Sequence, residues 1–160
     1  MSWFFQYLKS LGENFGQVTS SIYRSAEPSS TKLTEYRDKY KIGAVMNLRA
    51  DVEDEERLEV EALKMMWIWV PMADDAKPDA GLVGRAIAVM KDTPVPLLVQ
   101  CKGGRHRTGL VVACYRVVVQ GWSKRKAWDE AKDYGFYKRG ELGTPLEKWF
   151  WNEFDPEVFK

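Results

Sequence analysis

The sequence predicts an α/β fold: a central sheet, much of it parallel, with helices packed against it. Three observations point there. Short apolar runs of β type alternate with stretches of helical period along most of the chain. No Pro/Gly/Ser-rich linker, repeat or low-complexity tract divides the 160 residues, so one domain with one sizeable core is expected over 1–160. One run, TGLVVACYRVVVQ at 108–120, is apolar on nearly every helical face and has to lie inside.

The elements follow in order. SIYRS, 21–25, reads as a short strand. SSTKLTEYRDKY, 29–40, has a Ser/Thr start and apolar or aromatic residues at Leu33, Tyr36 and Tyr40, which predicts a helix. IGAVMNL, 42–48, is a buried strand. Asp51 is expected to cap the next helix, with acids crowding its first turn where the helix dipole favours them, and that helix is expected to run to about Met65. MWIWVPM, 66–72, is a strand that Pro71 should end, and ADDAKPDA is a polar loop. GLVGRAIAVMKD predicts a helix, TPVP a turn, and LLVQC, 97–101, a strand. After the apolar helix, Gly121 is a stop and Ser123 a cap for SKRKAWDEAKDYG. TPLEKWFWNEF forms a last helix. The aromatic N-terminal stretch, 1–17, lacks a basic start, a long apolar run and a small-residue cleavage site, and is expected to dock on the domain rather than act as a secretory leader.

Composition narrows the function classes. The net charge is +1, which argues against nucleic acid as a partner, and the longest apolar run, broken by Arg116, is too short to span a membrane. Two cysteines cannot make a disulfide scaffold, and one histidine with no CxxC or HExxH leaves no usual zinc site. No metal or other cofactor is therefore expected, and the cysteine usage fits a reducing, cytoplasmic compartment. Charge is uneven, however. Between Asp92 and Asp129 there is no acid, but there are seven bases: Lys102, Arg105, Arg107, Arg116, Lys124, Arg125 and Lys126. Such a field gathers anionic ligands.

The field centres on VQCKGGRHRTG, 99–109, where a strand turns into a helix. In open α/β sheets the carboxyl ends of strands are where ligands sit, and Cys101 stands at one. Gly103 and Gly104 let the backbone bend until several N–H groups converge. The helix starting near Arg107 adds its unpaired N–H groups and the positive end of its dipole. Such a nest binds a tetrahedral dianion and stabilises a thiolate. Arg107 offers a planar fork for two phosphate oxygens, and Thr108 places a hydroxyl beside the sulfur. These parts suit one reaction. A thiolate attacks phosphorus in line, a carboxylic acid from another loop protonates the leaving oxygen, and water hydrolyses the cysteinyl-phosphate.

CKGGRHRTG resembles the C-x5-R-[ST] signature loop of the cysteine-dependent phosphatases of the protein-tyrosine-phosphatase superfamily. IYRSAEPS, the VMNLR strand and GWSKRKAWDEAK extend the resemblance, over roughly Val18 to Gly135, to the compact atypical dual-specificity phosphatases and phytase-like members. The resemblance implies a central twisted mixed sheet of about four to five strands flanked by helices. It also implies Cys101 as nucleophile, Arg107 as phosphate clamp, and the backbone from Lys102 to Thr108 as cradle. The general acid is implied at Asp74 in V-P-M-A-D-D, with Asp75 as the alternative. One departure stands out: Gln100 replaces the histidine usual before the cysteine, so the hydrogen bonding behind the loop should differ.

Lys102, Arg105 and His106 occupy variable positions of the loop. Their basic character resembles relatives acting on phosphoinositides or inositol polyphosphates, where neighbouring phosphates need counter-charges. The expected substrate is therefore an inositol polyphosphate, with a phosphoprotein as the alternative and a catalytically dead phosphate-binding module as a remote one. Arg24 and Arg49 are expected to tie strand ends together, and Lys77 is a further candidate for a substrate phosphate. Metal-dependent hydrolysis by the acids between Asp51 and Glu56 is disfavoured by the missing histidine ligands.

Overall fold

The computed structural model describes residues 13–52, 54–138, 140 and 142–160. Five strands form one sheet: β1 (Gly16–Thr19), β2 (Ile22–Ala26), β3 (Ala44–Arg49), β4 (Met66–Met72) and β5 (Leu97–Cys101). Among the described residues six helices surround it: α1 (Ser30–Tyr40), α2 (Asp54–Ala62), α3 (Ala80–Asp92), α4 (Arg107–Val118), α5 (Lys124–Asp133) and α6 (Pro145–Asn152), with a 3-10 turn at Pro156–Phe159. The strand order is β1-β2-β5-β3-β4. β2, β5, β3 and β4 run parallel, and β1 joins β2 antiparallel, so the sheet is mixed.

Alternation along the strands divides the core in two. Ala44, Met46 and Leu48 of β3, with Leu97 and Val99 of β5, face a large cluster that includes Val83, Ile87, Leu110, Trp128 and Phe150 from α3, α4, α5 and α6. Val45 and Leu98 point the other way, onto Leu33 and Tyr36 of α1 and Val60 of α2. Every residue of α4 from Arg107 to Val117 is buried, as its all-round apolar pattern requires.

Two helix caps fall where the sequence puts them. The Ser29 side chain accepts from Lys32 N–H, and the Ser123 side chain accepts from Lys126 N–H. Gly121, at φ +69°, ends the stretch after α4. Three expectations are corrected. Asp51 does not cap α2, which starts at Asp54 and ends at Ala62; Arg49 holds the Asp51 carboxylate before the helix begins. Pro71 does not end β4, because the strand continues to Met72 at the edge of the sheet, where a missing N–H costs no ladder bond. β1 was not expected: four residues with Gly and Gln among them carry too little alternation to show in sequence.

The expected docking segment, 1–17, lies mostly outside the described residues. Of its last part, Phe15 stacks on Tyr36 and Tyr40 with ring centroids 4.5 and 4.8 Å away, and Asn14 is buried. Among the described residues no helix is long and apolar enough to cross a membrane.

Candidate active site

Parallel strands share a direction, so β2, β5, β3 and β4 bring their carboxyl ends to one edge. Ala26 pairs with Cys101, and Arg49 with Met72. The loop from Lys102 to His106 rises from that edge and feeds straight into α4.

The loop is held from behind by its carbonyls. Glu27 N–H donates to Lys102 O at 3.1 Å. Asn14 Nδ2 donates to Gly103 O and Gly104 O, both at 3.2 Å, and to Tyr134 O at 2.9 Å. Arg24 Nη2 donates to Gly104 O at 3.1 Å. Because a trans peptide sets its N–H opposite its C=O, the amides of Gly103, Gly104 and Arg105 turn to the concave side of the loop. Arg24 is itself buried, its guanidinium 3.8 Å from the centre of the Tyr134 ring.

Gly104 is the tightest point. It sits at φ +66°, and a Cβ there would stand 2.6 Å from Ala26 N and 2.7 Å from Ser25 O. Both obstacles are backbone and cannot swing aside. At Gly103 the Arg105 guanidinium folds back over the backbone, and a Cβ would lie 3.1 Å from Arg105 Nη2, a flexible group that can move aside.

Four functional candidates meet around the loop. Cys101 is a free thiol, 2% exposed at the end of β5. Arg107 is buried in the first turn of α4, where Nη1 donates to Met72 O at 3.2 Å and Nε lies 3.8 Å from Asp74 Oδ1. Asp51 Oδ1 is 3.8 Å from Arg107 Nη1, so two carboxylates flank one guanidinium. His106 Nε2 meets Phe136 O at 3.0 Å; a carbonyl only accepts, so Nε2 carries the hydrogen. Its Nδ1 faces Asp74 Oδ1 at 3.4 Å. Thr108 is fully buried, and its Oγ1 has no hydrogen-bond partner among the described residues.

Of the two neighbouring aspartates, Asp74 is the one that pairs with His106 and Arg107. The hydrogen bond from His106 holds the Asp74 carboxyl below the usual aspartate range. Partial burial opposes it, and the charges of His106, Arg107 and Arg105 add to the lowering. Lys102 is exposed at the rim, while Arg105 and His106 are half-buried.

Other candidates are placed elsewhere. Lys77, the further candidate for a substrate phosphate, pairs with Glu153 at the surface. Lys124 donates to Phe150 O and Phe154 O, closing the C-terminal end of α6; Arg116 pairs with Glu130; Lys126 lies over the Trp122 ring. Of the seven bases in the acid-free stretch, Lys102, Arg105 and Arg107 are the ones at the loop. Arg49 ties Glu27 to Asp51. Among the described residues no group of three or more His, Cys, Asp or Glu is placed to hold a metal ion.

Two contributors escaped the sequence reading. Asn14 latches the loop from about 90 positions away, and only its left-handed φ of +46° marks it as unusual. Glu56 lies behind the loop, its carboxylate accepting from Gln100 Nε2 and, at 2.7 Å, from Asn47 Nδ2. Gln100 thus finds a carboxylate at the position where the family resemblance implies a histidine.

A tyrosine phosphatase family model matches residues 11–160. The chain belongs to the tyrosine phosphatase family. Among the family's curated members, the inositol diphosphatase SIW14 of Saccharomyces cerevisiae is 25% identical over 154 residues, covering 92% of this chain and 53% of that protein. The dual specificity protein phosphatase TpbA of Pseudomonas aeruginosa is 28% identical over 128 residues, covering 77% and 55%. The chain spans about half the length of these curated relatives. The solved core catalytic domain of the SIW14 phosphatase superposes with a TM-score of 0.77 at 25% identity, covering 91% of this chain and 88% of that one. P. aeruginosa TpbA gives the same TM-score and identity over 92% and 88%. The mixed sheet flanked by helices is therefore the fold of these phosphatases.

Gly104→Ala tests the close approach. The strained φ and the backbone clash should cost roughly 1–3 kcal/mol of stability. Binding of vanadate, an oxyanion that fills the same nest, should fall by more than that destabilisation accounts for; urea melts and a vanadate titration measure the two.

Proposed function

We propose that this chain is a phosphomonoester hydrolase working through a cysteinyl-phosphate on Cys101, with inositol polyphosphates as its substrate class. The observation that carries the reading is the loop: carbonyls tethered outward, amides turned inward, a thiol at its base and a buried guanidinium at its end. Such a nest supplies fixed donors for the equatorial oxygens of a transferring phosphoryl group.

The steps follow from the geometry. The Cys101 thiolate attacks phosphorus and the ester P–O bond breaks. Asp74, protonated, gives its hydrogen to the departing oxygen. Water then attacks the phosphocysteine, Asp74 takes back a proton, and the thiolate leaves with Thr108 Oγ–H available to it. Arg107 holds two phosphoryl oxygens throughout. The cations that depress Asp74 are the ones a bound dianion neutralises, so substrate arrival favours the protonated acid.

The substrate class rests on charge at the rim. Lys102 and Arg105 stand beside the cradle with no acid bonded to them among the described residues, free to meet a second phosphate. The relative named an inositol diphosphatase supports this class. A phosphoprotein is the second reading, favoured by the relative named a dual specificity protein phosphatase and by the acids Glu27, Asp51, Glu55 and Glu59, which line a neighbouring cavity of about 490 Å³. Those acids would repel a substrate phosphorylated on that side.

Cys101→Ser should abolish turnover of any phosphomonoester while retaining anion binding. A serine variant as active as the parent, or a parent that carries no phosphate on sulfur when acid-quenched in turnover, removes the mechanism. For Asp74 the sign follows from its lowered ionisation. Rising pH deprotonates the acid and removes the proton donor, so kcat/KM on an alkyl phosphate should fall from the acid side of neutrality upward. Asp74→Asn should flatten that limb and slow alkyl phosphates by about 10²–10⁴, with much less loss on an aryl phosphate. Lys102→Ala combined with Arg105→Ala should raise KM for inositol hexakisphosphate about tenfold or more and barely change an aryl phosphate. Equal losses on both substrates would favour the phosphoprotein reading.

A further inference from the structure

Behind the loop lies a buried polar contact that the chemistry above does not use. Glu56, on the first turn of α2, is 7% exposed, and its carboxylate bridges two parallel strands. One oxygen accepts from Asn47 Nδ2 of β3 at 2.7 Å, and the other accepts from Gln100 Nε2 of β5. Asn47 and Gln100 are register partners and both are fully buried. Gln100 directly precedes Cys101. The other end of its amide, Oε1, has no partner among the described residues, so the Glu56 contact alone orients this side chain.

We propose that Glu56 is a positioning residue for the nucleophile, clamping Gln100 so that the peptide leading into Cys101 aims the sulfur at the centre of the loop. The proposal rests on the reading of Cys101 as nucleophile. Its physical basis is the cost of a buried donor left unpaired, which holds the amide on the carboxylate, and the short lever from Gln100 to the next Cα. A misplaced attacking atom slows chemistry far more than it weakens binding.

The charged groups facing Glu56 are Glu27, Arg49, Asp51, Glu55 and Glu59, which line the same cavity. Burial is the main cause that pushes the Glu56 carboxyl up to about 7, with Glu27 adding to the rise and the bonds from Gln100 and Asn47 opposing it. As pH rises toward neutrality Glu56 gains its negative charge, leaving both oxygens free to accept from the two buried donors.

The test uses the full chain with an aryl phosphate, comparing the parent, Glu56→Gln, Gln100→Leu and the double variant. A glutamine at 56 puts an NH2 against one of the two donors it must accept from, and a leucine at 100 removes the donor. Each single change should lower kcat about tenfold with KM little altered, and the double should be no worse than the worse single, because both break one contact. If Glu56→Gln does not fold, Gln100→Leu decides: a tenfold loss in kcat supports the clamp, and parent-like kcat overturns it. Parent-like kcat in Glu56→Gln, or multiplying losses in the double variant, also overturns it. Failure of the underlying reading looks different. The parent would show no turnover, or Cys101→Ser would match it, and the positioning role would fall with it.

Discussion

The direction of three peptide groups governs this molecule. Lys102, Gly103 and Gly104 each have their carbonyl bound by something other than the loop: the Glu27 amide, the Asn14 side chain and the Arg24 guanidinium. A neutral hydrogen bond of this kind is worth about 1 kcal/mol net, and a charged donor somewhat more. Their combined effect is geometric as well as energetic. With the carbonyls tethered, planarity leaves the N–H groups no choice of side. Gly104, lying against the β2 backbone, brings the loop close enough for those tethers to reach. The shape of the loop therefore depends on the scaffold bonded behind it.

Electrostatics around the nest are balanced rather than uniformly positive. Arg107 faces Asp74 and Asp51 at 3.8 Å each, and His106 bridges Asp74 to the Phe136 carbonyl. A guanidinium flanked by two carboxylates is held in place without being neutralised by a close bidentate pair. Its fork stays available to a ligand that bonds at shorter range. The same contacts favour the ionised form of Asp74. On one side Lys102 and Arg105 extend the positive field; on the other, Glu27, Asp51, Glu55 and Glu59 bound it.

The rear of the site shows how one substitution is absorbed. A glutamine before the cysteine keeps an N–H donor where the resemblance leads one to expect a histidine, and Glu56 accepts from it. The same carboxylate joins β3 to β5 at the register pair Asn47 and Gln100, just below the loop. Sheet edge and loop base are thereby tied through one buried group.

The sequence alone determined what depends on neighbours within a few positions. The strands MWIWVPM and LLVQC, the capping serines 29 and 123, the apolar helix after Arg107, and the cysteine, glycines and arginine of the loop are all local signals. Period, cap and motif register them directly. Only the tertiary structure decided the rest. Asn14 and Arg24 reach the loop across roughly 80 to 90 positions, and Glu56 meets Gln100 across 44. A run of seven bases looked like one field until folding sent Arg116 to Glu130 and Lys124 to the end of α6. The physical reason is common to all of these. A side chain's partner is set by where the sheet and helices carry it, and charge or hydrogen-bonding capacity read along the chain does not say which group will be waiting there.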